Sequence, residues 1–205
     1  APIDCDFLHR ESELTEICTS IINNKVTILT GASGIGKTRL ALEVCRQQDN
    51  GKTKVFCVKS NGNFLYEDIK YYISDSGKYL IFFDDANMVV SLDNVLDTIL
   101  TLPTDFDVKL LFSVRDYAKE RVIDAVSRYV LPNIIEIGRF KDDEIKDILK
   151  SDLEIVNPDY LKKIAEIANG NIRLAFLAGM RSMDDGYQAR YSYVVFHLYS
   201  WSGKT

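Results

Sequence analysis

Residues 31–38, Gly-Ala-Ser-Gly-Ile-Gly-Lys-Thr, follow directly on the apolar run Val-Thr-Ile-Leu-Thr at 26–30. The spacing G-x-x-x-x-G-K-[ST] suits an anion carrying several charges. Gly31, Gly34 and Gly36 permit backbone conformations that turn successive N–H groups toward one phosphate. A helix starting near Lys37 would add roughly half a positive charge at its first turn. The Lys37 ammonium is expected to reach the outer phosphates, and the Thr38 hydroxyl to join the shell of a Mg²⁺ ion. The candidate nucleotide-binding stretch therefore comprises Gly31, Ser33, Gly34, Ile35, Gly36, Lys37, Thr38 and Arg39.

A metal on those phosphates needs a carboxylate at the end of a neighbouring strand. Tyr79-Leu-Ile-Phe-Phe-Asp84-Asp85 offers two. Asp84 is the expected Mg²⁺ ligand, largely through water, as a hard six-coordinate ion prefers. Asp85 is placed to orient or deprotonate an attacking water. The plainer reading of Asp85 is a cap on the following turn. A further strand, Lys109-Leu-Leu-Phe-Ser113-Val-Arg115-Asp116, ends in an arginine suited to forked contacts with phosphate oxygens. Its plainer reading is a surface ion pair with Asp116. The catalytic candidates are thus Lys37, Asp85 and Arg115, and the metal candidates Thr38 and Asp84.

The elements that must carry these residues are legible as short apolar runs alternating with helical periodicity. Strands are expected at 26–30, 54–58, 79–83, 108–114 and 134–137, β-branched and aromatic with few charges, as in a sheet covered on both faces. Helices are expected at 37–48, 64–74, 91–101 and 116–128. That alternation predicts an α/β fold: a five-stranded parallel sheet in a three-layer sandwich with right-handed crossovers. After 138 the pattern becomes wholly helical. Asp142 and Asp143 suit a helix start, Asn157-Pro158 opens a second helix, and Asn169-Gly170-Asn171 separates it from a third. The expected organisation is a nucleotide-binding domain over 1–138, a C-terminal helical lid subdomain over 139–185, and a tail or the start of a further domain over 186–205.

The 205 residues, 46% hydrophobic and 27% charged, are ordinary for a globular protein. A net charge of -5 argues against an all-over basic surface, so nucleic acid is not indicated as a partner. Cys5, Cys18, Cys45 and Cys57 form no C-x-x-C pair, and His9 and His197 are the only histidines, which disfavours a zinc site. Buried free thiols in a reducing compartment are expected. The longest apolar runs, near 79–83 and 191–201, are too short to span a bilayer, and a cytoplasmic protein is expected. The ending Trp201-Ser-Gly-Lys-Thr carries no stop signal and predicts a piece of a longer chain. Tyr191, Tyr193, Phe196, Tyr199 and Trp201 near it suggest an apolar helix face.

These motifs together resemble the STAND class of P-loop NTPases, which holds the NB-ARC and NACHT modules and is related to AAA+ ATPases. Phe7-Leu-His-Arg10-Glu11 is similar to the opening F-x-x-R-E motif of that class, 31–38 to its phosphate loop, and Phe82-Phe-Asp84-Asp85 to its doubled-acid Walker B. Ser113-Val-Arg115 resembles its sensor arginine motif, and Gly170-Asn171-Ile172-Arg173-Leu174-Ala175 its lid stretch G-x-P. The resemblance spans about 7–182. It implies ATP or ADP with Mg²⁺ as cofactors, Phe7 and Arg10 near the adenine, and Arg173 as a γ-phosphate sensor or else a solvent-facing helix arginine. Two departures stand out: Ile172 replaces the usual proline, and no counterpart of the ADP-sensing histidine is present, since His197 lacks its setting.

The function so implied is a nucleotide-controlled switch that exchanges ADP for ATP, hydrolyses slowly, and oligomerises when ATP-bound. Its partners would be effector and sensor domains of a longer chain, in signalling, immunity or antiphage defence. Slow turnover fits an Asp85 where fast ATPases usually carry glutamate. The alternatives are an AAA+-type motor acting on nucleic acid or protein and, ranked last, a small-molecule kinase.

Overall fold

The apolar runs are strands β1 (Val26–Thr30), β2 (Thr53–Lys59), β3 (Gly77–Asp84), β4 (Phe106–Ser113) and β5 (Asn133–Glu136). They form one parallel sheet in the order β2-β3-β4-β1-β5. Every residue of β1 is buried, as a central parallel strand requires. The computed structural model describes residues 7–59 and 65–184. The aromatic tail, His197, Cys5 and the segment 186–205 lie outside the described residues.

Helix α1 (Glu11–Asn23) precedes the first strand, and four helices connect the strands: α2 (Lys37–Gln48), α3 (Tyr66–Tyr72), α4 (Leu92–Leu100) and α5 (Lys119–Ser127). Period-two alternation divides the sheet's side chains between two layers. Val26, Ile28, Tyr79, Ile81, Phe83, Leu110 and Phe112 form one core with Ile69, Val95, Leu96, Val122 and Val126 of α3, α4 and α5. Phe83 and Phe112 pack there with ring centroids 5.2 Å apart and planes tilted by 53°. Leu29, Leu80, Phe82 and Leu111 alternate to the opposite face, where α1 and α2 pack on the sheet. Helix α1 is the element that strand-helix alternation does not reveal. Its buried Leu14, Ile17 and Ile21 recur at helical spacing, but it precedes the first strand and so lies outside any crossover.

The remaining helices, α6 (Asp142–Leu153), α7 (Pro158–Ala168) and α8 (Ile172–Asp184), bury Ile145, Leu149, Leu161, Ile164, Ala175 and Phe176 in a core of their own. Their starts follow local chemistry. The Glu144 carboxylate accepts the Lys141 N–H at 2.8 Å, and Asn157 Oδ1 accepts from the N–H groups of Asp159 and Tyr160 at 3.1 and 3.2 Å, with Pro158 at the first helical position.

The chain divides into two compact units. Among the described residues, one comprises Arg10–Ser33 with Lys37–Ile137; the other takes those from Gly138 onward together with Phe7–His9 and the loop tip Gly34–Gly36.

Candidate nucleotide site

Parallel strands bring their C-terminal ends to one edge of a sheet, which is where ligands bind in open α/β folds. Here that edge carries the loop after β1, Asp84 at the end of β3 and Ser113 at the end of β4. The carboxylate was expected on a neighbour of the phosphate-loop strand. Instead β4 lies between β1 and β3, pairing Leu29 with Ser113 on one side and Phe83 with Phe112 on the other. The gap is closed by side chains. Thr38 Oγ1 donates to Asp84 Oδ1 at 2.7 Å, and Ser113 Oγ donates to the same oxygen at 2.8 Å.

Ser113 also accepts the Asp85 N–H at 2.9 Å, and its side chain is fully enclosed. One hydroxyl thereby fixes both acids, a role its sequence motif did not specify. Ser113→Ala removes two bonds at a buried point and should cost about 2 kcal/mol. A thermal melt should show this as a fall of several degrees.

Lys37 is 7% exposed, and its ammonium donates to the carbonyls of Gly31 at 2.6 Å and Ala32 at 2.9 Å. Burial pushes its pKa below the ordinary lysine value, while Asp116, Asp85 and Asp84 pull it back up and Arg115 opposes them.

Arg115 does not pair with Asp116. It holds Asp85, with Nε on Oδ1 at 3.3 Å and Nη2 on Oδ2 at 2.9 Å. This forked contact raises the Arg115 pKa, chiefly through the Asp85 hydrogen bond and then its charge. Asp85 itself adopts φ 47 at the head of a short 3-10 turn, and its side chain makes no cap bond there.

The other sequence candidates are placed as follows. Ser33 is exposed and the Ile35 side chain is buried. Arg39 pairs with Glu43 at 3.1 Å on α2. Arg10 is buried and bonded to Glu13 within the first turn of α1, and Phe7 is half-buried just before it. The Arg173 side chain is exposed, but its backbone N–H donates to the Gly34 carbonyl at 3.1 Å. Asn171 Oδ1 accepts the Leu174 N–H at 3.1 Å and so caps α8. A Cβ on Gly34, which sits at φ +81, would stand 2.3 Å from that same oxygen. The loop glycine is therefore required by the helix that packs on it as well as by its own backbone conformation.

The described residues include no cluster of histidine, cysteine and acid side chains able to hold a metal by themselves. The oxygens of Thr38 and Asp84, a hydroxyl and a carboxylate at 2.7 Å, are the hard donors that Mg²⁺ takes alongside phosphate and water. No helix among the described residues is long and apolar enough to cross a membrane.

In sequence, residues 9–155 match the family described as novel STAND NTPase 3. The chain belongs to that STAND family. No curated protein matches it in sequence. In structure the STAND chain is similar to Orc1 of Aeropyrum pernix, solved in complex with DNA, at TM-score 0.70 and 18% identity over 89% of this chain and 62% of that one. It is also similar to the RuvB Holliday junction branch migration motor of Thermotoga maritima, at TM-score 0.65 and 16% identity over 85% and 62%. Cdc6p of Pyrobaculum aerophilum gives TM-score 0.62 and 16% identity over 91% and 65%. The chain spans about three fifths of the length of these proteins. The shared fold is that of P-loop NTPases, in keeping with the NTPase family that the sequence matches.

Proposed function

We propose that this STAND NTPase is a switch whose state is set by ATP or ADP and whose hydrolysis is slow. The observation that carries this reading is the Arg115–Asp85 ion pair. Asp85 is the candidate base for the attacking water, yet its carboxylate is engaged by the arginine expected to meet the γ-phosphate. Both of its oxygens accept from the guanidinium, so they are engaged where a water would have to bind. An anion arriving near Arg115 competes for the same guanidinium donors and releases Asp85. The pair thus links the presence of a third phosphate to the readiness of the base.

The remaining roles follow from the chemistry at the sheet edge. Lys37 and the loop amides bind the phosphates, with Thr38 and Asp84 holding Mg²⁺. When bound, that ion neutralises phosphate charge. Ser113 keeps Asp84 and Asp85 in register. Adenine as the base, Phe7 and Arg10 beside it, and Arg173 on the γ-phosphate rest on the family resemblance. So do oligomerisation with ATP bound, effector and sensor domains in a longer chain, a cytoplasmic setting and a role in signalling or defence. A near-complete switch requires the nucleotides to discriminate the two states by about 10⁴-fold.

The test is nucleotide affinity in Arg115→Ala. The wild type should bind ATP and ADP with different affinity, and the variant should lose most of that difference while keeping ADP binding within a few-fold. Equal loss for both nucleotides would make Arg115 a general phosphate clamp. A second reading, a motor on nucleic acid or protein, draws on the likeness to Orc1 and RuvB. It predicts rapid turnover by the purified chain, stimulated by DNA or a protein substrate, and no nucleotide retained through purification.

A further inference from the structure

Two of the cysteines, far apart in the sequence motifs and unused by the site, meet across the layer boundary between α2 and β2. Phe56 and Val58 of β2 pack toward the α3, α4 and α5 core, so alternation turns Cys57 to the face that α2 covers. Cys45 lies on the sheet-facing side of α2 beside the buried Ala41 and Val44. The two thiols lie close enough for each to shift the ionisation of the other. They differ in setting: Cys45 is buried, whereas Cys57 is exposed, contrary to the expectation that the cysteines would all be buried. Cys18, half-buried on α1, bonds to Gln47 instead.

We propose that Cys45 and Cys57 are a redox-active dithiol, converted to an intrachain disulfide by a small-molecule disulfide of the glutathione type. Solvent access and nucleophilicity assign the steps. The neighbouring Cys45 thiol lowers the Cys57 pKa to about 7, against the opposing effects of burial and of Asp84. Cys57 beside it, then burial, raises that of Cys45. Cys57, the solvent-exposed thiol of the two, is therefore the attacking thiolate. Its sulfur attacks one sulfur of the small disulfide, forming a mixed disulfide and expelling one thiolate, which takes up a proton. Cys45 then loses its proton and attacks the Cys57 sulfur, expelling the second small thiol. The protein pair is oxidised by two electrons and the small disulfide is reduced to two thiols. The new bond would tie α2, the helix that begins with Lys37 and Thr38, to β2 at the edge of the sheet.

The experiment uses the full 205-residue chain with oxidised glutathione as probe, near neutral pH, without denaturant. Remaining thiols are blocked with iodoacetamide and the unreduced protein is cut with trypsin. The expected product is residues 40–46 linked to residues 55–59, with Cys18 alkylated. In Cys45→Ser the reaction should stop at a glutathione adduct on Cys57. In the reduced wild type, Cys57 should be alkylated at least about tenfold faster than Cys45. A stable glutathione adduct on wild-type Cys57, a link that forms only in denaturant, or preferential oxidation through Cys18 would each overturn the proposal. The wild-type map decides the matter even if the variant fails to fold.

Discussion

Replacing Lys37 with alanine should weaken both ATP and ADP binding by roughly a hundredfold, about 3 kcal/mol, with little loss of fold stability. The ammonium is almost fully enclosed, and two of its three hydrogens are held by the Gly31 and Ala32 carbonyls. That anchoring fixes its position, so its charge reaches a phosphate with little further ordering. Backbone amides supply partial charges only, and they cannot replace a full positive charge. Isothermal calorimetry with both nucleotides, alongside a thermal melt, separates lost binding from lost structure. The same lysine sets an alkaline limit. Burial lowers its pKa below the ordinary 10.5 in the free protein, and a bound phosphate raises it again. Binding then takes up a proton once free Lys37 begins to deprotonate, so affinity should fall as pH rises, earlier than for an exposed lysine. Nucleotide affinity indifferent to Lys37→Ala would remove the loop from the site.

Gly170→Ala should destabilise the chain by roughly 3 kcal/mol, lowering its melting temperature by on the order of 10 °C. Gly170 sits at φ +78, which alone costs an alanine about 1 kcal/mol. The added Cβ would also stand 2.5 Å from the Arg139 Cβ and 2.8 Å from the Phe140 carbonyl oxygen. Neither neighbour is the loose end of a side chain. The two backbones are tied by the bond from the Phe140 N–H to the Gly170 carbonyl at 3.2 Å, so they cannot part without losing it. Gly138 is the control, because a Cβ there meets nothing within 4 Å and Gly138→Ala should melt close to wild type. Equal melting of the two variants would refute the steric account.

Much of this protein is written in local sequence. The strand, phosphate loop and helix at 26–48 follow from an apolar run, three glycines and a good helix sequence, and they form with the predicted bounds. Asn157-Pro158 starts α7 through its own side-chain oxygen and fixed φ, so that boundary also needs no distant partner. The parallel sheet follows from buried runs separated by helices, because parallel strands require long crossovers. Each of these is decided within a few residues along the chain, where propensity and periodicity act.

Only the tertiary structure decided which residues meet. Strand order places β4 between β1 and β3, which makes buried Ser113 the link between the two acids. Arg115 chooses Asp85, 30 residues away, over Asp116 next to it, because adjacent parallel strands deliver both side chains to one edge. Cys45 and Cys57 meet because α2 packs on the face to which β2 turns that thiol. Such pairings depend on which strands neighbour one another and which layer each crossover covers. That choice is made by burial of the whole sheet, and no single segment carries it.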